Sequence, residues 1–381
     1  MAMDRLFQLM KEKNASDMFF AVNSPVHIKI NGNLIPINQQ RLENENILSL
    51  LSEVCAPEEM QALKTEHELN MAVSVPNLGR FRLSAFYQRG SVSAVFRFVP
   101  VDIPPLESLD LPPVLSELIM EKRGLLLLVG ATGSGKSTTI ASMLDHRNEQ
   151  KTGHILTLED PVEYLFKNKK SIVNQREIGS DAKSFYTALK NAMRQAPDCI
   201  LIGEIRDQET MAAALAYAQS GHLVLATLHA NNSYNALNRI ISFYPIENRP
   251  ALLQDLSAAV KAIVSQRLVR AVSGGKRHAA VEVLVNTRYT ADLIEKGDIG
   301  QIKDAMEKSL TPGSQTFEAA LYKLVKEGHI SQEEALANAD SATNLLWLLN
   351  NGPDSGAAKA EATPEKPAEP TASFTEFTLN T

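Results

Sequence analysis

The feature that most constrains the fold is the stretch LLLLVGATGSGKSTTIASML, residues 125–144, in which an apolar run leads through a glycine-rich turn into a helix-forming segment. The turn, GATGSGKS at residues 130–137, fits the pattern G-x-x-x-x-G-K-[ST] at every defined position. Glycines in such a turn let backbone N–H groups point at phosphate oxygens, and the positive end of the following helix faces the same place. The stretch therefore predicts a strand, a phosphate-binding loop and a helix, the central unit of a nucleotide-binding α/β domain.

Each position of this loop has an expected role. We expect Lys136 to hold the β and γ phosphates of ATP as a point charge, and Ser137 to bind Mg²⁺. A plain glycine-rich turn is the alternative, and it is disfavoured because the Lys-Ser pair stands in register. The remaining residues expected to bind nucleotide are Gly130, Thr132, Gly133, Ser134, Gly135 and Thr138.

A second apolar run, CILIGEIRD at residues 199–207, resembles a Walker B strand with one departure. Gly203 stands where most P-loop enzymes have a metal-binding aspartate. Glu204 is then the residue left to act on the metal, directly or through water, or on the attacking water.

Two further motifs follow apolar runs of strand length. TLEDPVEY, residues 157–164, brings three carboxylates including Glu163 to the end of a strand, where they can orient water or hold Mg²⁺ through water. A solvated loop with a helix cap is the alternative for that cluster taken alone. GHLVLATLH, residues 221–229, places His222 and His229 at either end of another strand, and a lone histidine is more often a structural hydrogen-bonding group than a ligand.

The amino-terminal part of the chain, residues 1–99, has the pattern of a small α+β domain. MDRLFQLMKEK has apolar residues at helical spacing, and two strand-like runs follow, the second folded at Asn31-Gly32, a strong type I′ hairpin signal. A helix is predicted near residues 43–54, followed by two strands that turn near Arg89-Gly90.

The rest of the chain predicts an α/β domain followed by a tail. Residues 100–113 contain five prolines, which we expect to hold an extended linker. Residues 114–351 carry short, uninterrupted apolar runs typical of a mainly parallel sheet buried on both faces, and the pattern becomes helical beyond Ile294. Residues 352–381 are rich in Ala, Pro, Glu and Lys, a composition that predicts disorder.

Charge and composition narrow the functional classes. The formal net charge of −6 and a pI near 5.8 disfavour a nucleic-acid translocase, because the overall field repels phosphate backbones. The amino terminus lacks the pattern of a signal peptide, and the longest apolar run, Leu125–Val129, is far shorter than a membrane span. We therefore expect a cytosolic protein that reaches membranes only through partners. Cys55 and Cys199 are expected to be reduced core residues.

Taken together, the motifs at residues 130–137, 159–163, 203–207 and 221–229 resemble, in kind and order, the secretion ATPase superfamily of type II secretion and type IV pili. The chain is most similar to the PilT/PilU family of pilus retraction motors, and SDMFFAVNSPVHIKINGNLIPI matches the amino-terminal PAS-like domain of that family. The resemblance implies a PAS-like domain, a RecA-like ATPase domain with carboxyl-terminal helices, and a six-membered ring.

The resemblance also implies roles for particular residues. Arg82 in FRLSAF and Arg97 in VFRFVP match the arginines that close onto the phosphates as the two domains rotate. Taken alone, each arginine fits an exposed strand residue better than a phosphate contact. Glu163 and Glu204 match the carboxylates associated with catalysis, with Glu204 preferred for activating water, and His229 is implied as a contact to the γ-phosphate.

Two departures from the family bear on the kind of motor. Where PilT-like motors carry AIRNLIRE, this chain has RYTADLIEKG at residues 288–297, which retains Leu293 and Ile294 but lacks the arginines. Together with RQAPD at residues 194–198 and the long tail, this favours the accessory PilU branch, which depends on a PilT-like partner.

The function expected from this resemblance is pilus retraction and twitching motility. The expected form is a homo-hexamer beneath an inner-membrane platform protein, without direct membrane insertion and without nucleic acid. A nucleotide-binding interaction module that stabilises a partner ATPase without hydrolysis is the alternative.

Overall fold

Two β-sheets, each with its own hydrophobic core, organise the chain in this computed structural model. Asn31 of the expected hairpin turn, Pro100 and Val101 of the expected linker, and the expected tail from residue 353 onward lie outside the described residues. No helix within the described part of the chain is long and apolar enough to cross a membrane. The described residues are 2–30, 32–76, 78–99, 102–275, 277–308 and 311–352.

The amino-terminal sheet has six strands in the order β3-β2-β1-β6-β5-β4, and every neighbouring pair is antiparallel. The predicted α+β pattern is confirmed, including the turn at Arg89-Gly90 between β5 and β6. The strands are β1 Asp17–Phe20, β2 His27–Ile30, β3 Asn33–Pro36, β4 Glu68–Val75, β5 Gly79–Gln88 and β6 Ser91–Val99, and the helices are α1 Ala2–Glu12, α2 Asn44–Ser52 and α3 Pro57–Glu66.

Alternation along β5 separates an apolar face from a basic one. Phe81 and Leu83 are fully buried, and the ring centroids of Phe7 from α1 and Phe81 lie 4.1 Å apart. Because successive strand residues point to opposite faces, Arg80 and Arg82 emerge on the side away from this core. Arg80 and Arg82 can therefore make contacts outside their own sheet.

The larger sheet has seven strands in the order β13-β12-β7-β11-β10-β8-β9, and only the pairing of β12 with β13 is antiparallel among its described strands. The predicted mainly parallel sheet is confirmed. Every residue of β7 is buried, as expected for a central strand covered by helices on both faces. The strands are β7 Gly124–Val129, β8 Gly153–Glu159, β9 Ser171–Glu177, β10 Cys199–Ile202, β11 Leu223–Leu228, β12 Val260–Arg270 and β13 Arg277–Val285.

Helices connect and cover these strands. The helical pattern predicted beyond Ile294 is confirmed, and the retained Leu293 and Ile294 are buried core residues of α10. The helices are α4 Val114–Leu118, α5 Lys136–Gln150, α6 Phe185–Ala192, α7 Gln208–Gln219, α8 Ser233–Ser242, α9 Arg249–Ala259, α10 Arg288–Lys296, α11 Ile302–Glu307, α12 Phe317–Lys326, α13 Gln332–Asn338 and α14 Ala342–Asn351.

The proline-rich segment between the sheets is not extended throughout. Leu106–Leu109 forms a 3₁₀ helix, and Leu106 is buried in the core of the larger sheet. The prolines lack backbone N–H donors, but their carbonyl oxygens still accept hydrogen bonds. Pro105 O accepts from Ser108 Oγ at 2.7 Å, and this closes the turn. Burial of an apolar side chain outweighs the extended preference of the prolines here.

One arginine ties the carboxyl-terminal helices to the sheet. Arg267 of β12 forms an ion pair with Asp340 and donates hydrogen bonds to Asn338 O and Asn231 O, the latter at 3.0 Å. Its guanidinium carbon lies 3.9 Å from the ring centroid of Phe317. The helices after β13 are thereby held to the middle of β12.

Both cysteines are buried and unpaired, as predicted. Burial raises the pKa of each thiol, Cys55 and Cys199, to about 11.

Candidate functional site

The carboxyl ends of four neighbouring parallel strands meet at one edge of the larger sheet, and a predicted motif follows each of them. β7 leads into the glycine-rich loop, β8 into the acidic segment, β10 into Glu204 and β11 into His229. Ligands of open α/β sheets bind outside this edge. Parallel pairing therefore gathers motifs that are far apart in the sequence.

Left-handed glycines bend the loop between β7 and α5. Gly133 has φ 78° and Gly135 has φ 90°, values that glycine adopts without strain. Gly135 is also the N-cap residue of α5, so the unpaired N–H groups and positive end of this helix face the cavity. A Cβ atom on Gly135 would lie 2.7 Å from Gln266 Nε2, while Gln266 Oε1 accepts from Thr139 Oγ1 at 2.8 Å. β12 thus contacts the start of α5 directly.

The ammonium of Lys136 is folded back onto this loop. Nζ donates to Gly130 O at 2.8 Å and to Ala131 O at 2.9 Å. Burial lowers the pKa of Lys136, and the charges of Glu204 and Glu163 oppose that shift. A polyphosphate entering the loop offers this ammonium charged acceptors in place of two neutral carbonyl oxygens.

Glu204 lies between two basic side chains. Its Oε2 accepts from Arg206 Nε at 2.7 Å, and its Oε1 lies 3.3 Å from His229 Nε2. The hydrogen bond to Glu204 raises the pKa of Arg206, whose Nη1 also approaches Asp160 Oδ2 at 3.7 Å. Each contact uses one lone pair of its oxygen, so the Glu204 carboxylate keeps acceptor capacity for a water molecule.

The loop after β8 is held in place by side chains of β9. Gln175 Nε2 donates to Tyr164 O at 2.7 Å, and Glu177 Oε2 accepts from the backbone N–H of Val162 at 3.0 Å. Glu163 stands between these two anchored residues, exposed and lining the cavity. The position of Glu163 therefore depends on the end of an edge strand.

Glu159, in contrast, points inward. It is 9% exposed, and its Oε1 accepts from Thr157 Oγ1 at 2.6 Å and from Gln175 Nε2 at 3.3 Å. Burial raises the pKa of Glu159. The acidic segment predicted as one cluster is thus divided into one buried carboxylate, Glu159, and two exposed ones, Asp160 and Glu163.

Arg97 brings the amino-terminal sheet to the same cavity. It lines the cavity from β6, and its Nε donates to the buried Asp17 Oδ1 at 2.7 Å. Arg82 is the cross-strand partner of Arg97 on β5, but it is exposed and does not line this cavity. Asp17 also pairs with Arg97 in strand register, so the three charged side chains lie abreast across β5, β6 and β1.

These elements enclose a cavity of about 560 Å³. Of the predicted site residues, Gly130 and Ser134 instead line a second cavity of about 380 Å³ on the other side of the loop. The predicted residues that line the main cavity are Thr132, Gly133, Gly135, Lys136, Ser137, Thr138, Glu163, Glu204, His229 and Arg97.

Several lining residues were not predicted. Arg206 lay within the quoted Walker B-like motif, and its sign and position next to Glu204 were a usable signal. Tyr164, whose hydroxyl is 2.8 Å from Thr138 Oγ1, closed the acidic motif but carried no expected role. Arg277 begins β13, a strand with no counterpart in the predicted series, so no sequence signal marked it.

Close backbone contact explains why Gly203 replaces the usual aspartate. Gly203 N donates to Leu158 O at 2.7 Å, and a Cβ atom would lie 3.0 Å from that oxygen and 3.2 Å from Glu159 Cα. No side chain fits there without movement of β8. Among the described residues, no three His, Cys, Asp or Glu side chains are arranged to hold a metal ion.

The donors present fit the phosphates of a nucleotide. The left-handed Gly133 and Gly135, the start of α5 and Lys136 line one cavity, and within the same loop Ser134 Oγ is buried without a hydrogen-bond partner. Mg²⁺ usually takes one or two protein ligands and completes its shell with water and phosphate oxygens. Ser137 and Glu204 in the same cavity fit that requirement.

Comparison with known proteins gives consistent matches over most of the chain. The sequence profile of the family described as type II/IV secretion system protein matches residues 2–332. The type IV pilus ATPase PilU of Pseudomonas aeruginosa is 46% identical over 357 residues, which cover 94% of both chains. The retraction ATPase PilT of the same organism is 36% identical over 91% of this chain and all of its own. A crystal structure of the pilus retraction motor PilT with bound ADP superimposes with a TM-score of 0.84 at 39% identity, covering 90% of this chain and 99% of that one.

Proposed function

Because the chain belongs to the type II/IV secretion system protein family, and within it to the PilT/PilU type IV pilus ATPases, we propose that it is a motor that hydrolyses ATP to ADP and phosphate. The observation that carries this proposal is the meeting of Lys136, Glu163, Glu204 and Arg97 around one cavity. Cations that hold phosphates and carboxylates that orient water are the parts that phosphoryl transfer requires.

Each side chain has a proposed role. Lys136 exchanges its two carbonyl acceptors for the β and γ phosphates. Ser137 would hold Mg²⁺, which would supply positive charge to the phosphates. Glu204 takes the proton of the attacking water, and His229 contacts the γ-phosphate. Glu163 orients water or Mg²⁺-bound water from the opposite wall.

The amino-terminal sheet supplies the gate. Arg97 reaches the cavity already, and closure of the two sheets would bring Arg82 from the neighbouring strand towards it. A cation delivered in this way changes phosphoryl-transfer rates by roughly 10³ to 10⁵, about 4 to 7 kcal/mol. The rotation of one sheet against the other is thereby coupled to turnover, which is what a motor needs.

We further propose the organisation and setting of this motor. Residues 1–99 form a PAS-like domain, 100–113 a linker and 114–351 a RecA-like domain with carboxyl-terminal helices. The chain assembles as a homo-hexamer at the cytoplasmic face of the inner membrane and acts on the pilus platform protein. The 46% identity to PilU, against 36% to PilT, supports an accessory role beside a PilT-like partner in retraction and twitching.

Steady-state ATP turnover tests the proposal. We expect the purified protein to hydrolyse ATP and the variants Lys136→Ala and Glu204→Ala to lose that activity. Lys170→Ala and Glu209→Ala remove charges of the same kind from exposed positions outside the cavity and should retain it. Stimulation by a purified PilT-like ATPase would support the accessory role.

One result would replace this proposal. If the wild-type protein binds ATP but stays as inactive as Glu204→Ala, with and without the partner, hydrolysis is not its function. The chain is then a nucleotide-binding interaction module that stabilises a partner ATPase.

A further inference from the structure

A buried ion pair joins the two sheets beside the candidate site. Arg80 Nη2 of β5 lies 2.8 Å from Glu177 Oε2, the last residue of β9, with side chains only 18% and 6% exposed. A charge pair this buried is costly to desolvate and tolerates loss of one partner poorly. Loss of either side chain should therefore disturb the groups that Arg80 and Glu177 contact.

The carboxylate of Glu177 acts on the cavity loop as well as on Arg80. The same Oε2 atom accepts from the buried N–H of Val162, one residue before Glu163. Asp181 Oδ2 accepts from the backbone N–H of Glu177, so the carboxylate-bearing residue is itself fixed. A single oxygen atom thus connects the amino-terminal sheet to the backbone that carries Glu163.

The arginine end of the pair is equally close to the cavity. Arg80 is the cross-strand partner of Val99 on β6, two residues after Arg97. Arg80 and Arg97 therefore move together as parts of one antiparallel ladder. The pair thus connects to two residues that line the cavity, Glu163 through Val162 N–H and Arg97 through the β5-β6 ladder.

We propose that Arg80 and Glu177 are positioning residues that set Glu163 and Arg97 at their working separation when the two sheets close. The inference rests on the proposed ATPase function for the roles of Glu163 and Arg97. Neither Arg80 nor Glu177 lines the cavity, so neither contacts the nucleotide. They act through the N–H of Val162 and through the β5-β6 ladder.

The position of the pair predicts a particular kinetic signature. The glycine-rich loop and Lys136 do not contact Arg80 or Glu177, so ATP binding should be retained when the pair is broken. Misplacement of a reacting group by about 1 Å can cost up to about 10²-fold in rate. We expect Arg80→Gln and Glu177→Gln to lower kcat by roughly tenfold or more while KM for ATP stays within about twofold.

The test uses the full-length protein and two readouts. Hydrogen–deuterium exchange of the segment 160–168 should become faster in both variants. Arg80→Gln leaves the carboxylate that accepts from Val162 N–H without its cation, and Glu177→Gln replaces that carboxylate with a weaker neutral acceptor. The double variant should be no worse than either single one, because both substitutions break the same contact. Lys296→Gln, which breaks an exposed ion pair with Asp292, is the control and should change neither readout.

Unchanged exchange of segment 160–168 in Arg80→Gln would overturn the inference, as would single effects that add independently in the double variant. A parallel rise in KM would also overturn it, because it would indicate general loss of the site. If the wild-type protein proves inactive, the proposed function fails, but the exchange experiment still decides whether this pair holds the loop.

Discussion

Gly203→Ala is the substitution that best tests the geometry of the site. The added Cβ atom would lie 3.0 Å from Leu158 O and 3.2 Å from Glu159 Cα, both backbone atoms of the buried strand β8. Overpacking against a rigid backbone costs about 1–3 kcal/mol. The reduced entropy of the unfolded chain offsets about 0.4–1 kcal/mol of this cost. We expect a net loss of about 1–2 kcal/mol in the free energy of unfolding.

The same displacement reaches Glu204, the next residue. Because Glu204 is placed by contacts of 2.7 and 3.3 Å to Arg206 and His229, a shift of a few tenths of an ångström at the end of β10 should lower kcat by roughly tenfold. Gly203→Asp should give the larger loss of stability and no gain in Mg²⁺ affinity, since its side chain starts from the same crowded position.

Urea unfolding and ATP turnover measure the two effects. Gly300→Ala is the matched control, because Gly300 also lacks a positive φ but a Cβ atom there meets no atom within 4 Å. That variant should be as stable as the wild type or slightly more stable. If Gly203→Ala matched Gly300→Ala in stability and activity, close backbone contact would not be the reason for glycine at position 203.

Three further predictions follow from burial. Because burial raises the pKa of Glu159, the folded state binds more protons than the unfolded chain above the unfolded pKa of about 4.3, so stability falls as pH rises through that region. Glu159→Gln should reduce this dependence, measured by urea unfolding at several pH values, and Glu282, whose pKa burial also raises, should supply the remainder. Phe81→Ala should cost about 3–5 kcal/mol of unfolding free energy, measured in the same way. Neither Cys55 nor Cys199 should be alkylated by iodoacetamide at pH 8 until the protein unfolds, as followed by mass spectrometry.

Each of these has a contradicting result. If Glu159→Gln kept the full pH dependence of the wild-type unfolding free energy, that dependence would come from another titratable group. If the free energy of unfolding of Phe81→Ala lay within about 1 kcal/mol of the wild-type value, the core would have to close the cavity left by the ring. Rapid alkylation of the native protein would mean that a thiol is accessible.

The position of much of the site was predictable from the sequence, because its residues follow the carboxyl ends of strands. Lys136, Glu204 and His229 each follow an uninterrupted apolar strand, and parallel pairing brings such ends together whatever their separation along the chain. The mainly parallel sheet and the α+β amino-terminal segment follow from the same periodicities and are confirmed. The roles assigned to these side chains remain predictions.

What the sequence did not predict depends on tertiary contacts. β12 follows α9 without a glycine or proline at Ala259-Val260, so no local signal marks the change from helix to strand. The pairing of Arg80 with Glu177 spans 97 residues and has no periodicity. Likewise, Arg82 and Arg97 are alike in sequence context, and no local signal distinguishes Arg97 on β6, which lines the cavity, from its strand neighbour Arg82, which does not.

β12 connects the carboxyl-terminal helices to the phosphate-binding loop. Gln266 contacts α5 through Thr139, and the next residue, Arg267, pairs with Asp340 beside the carboxyl-terminal helices. Successive strand residues point to opposite faces, so one strand contacts α5 on one face and these helices on the other. A load applied to those helices is carried by the same backbone that supports the phosphate loop. If a partner that binds those helices changes the affinity for nucleotide, thermodynamic reciprocity requires that nucleotide change the affinity for that partner by the same factor.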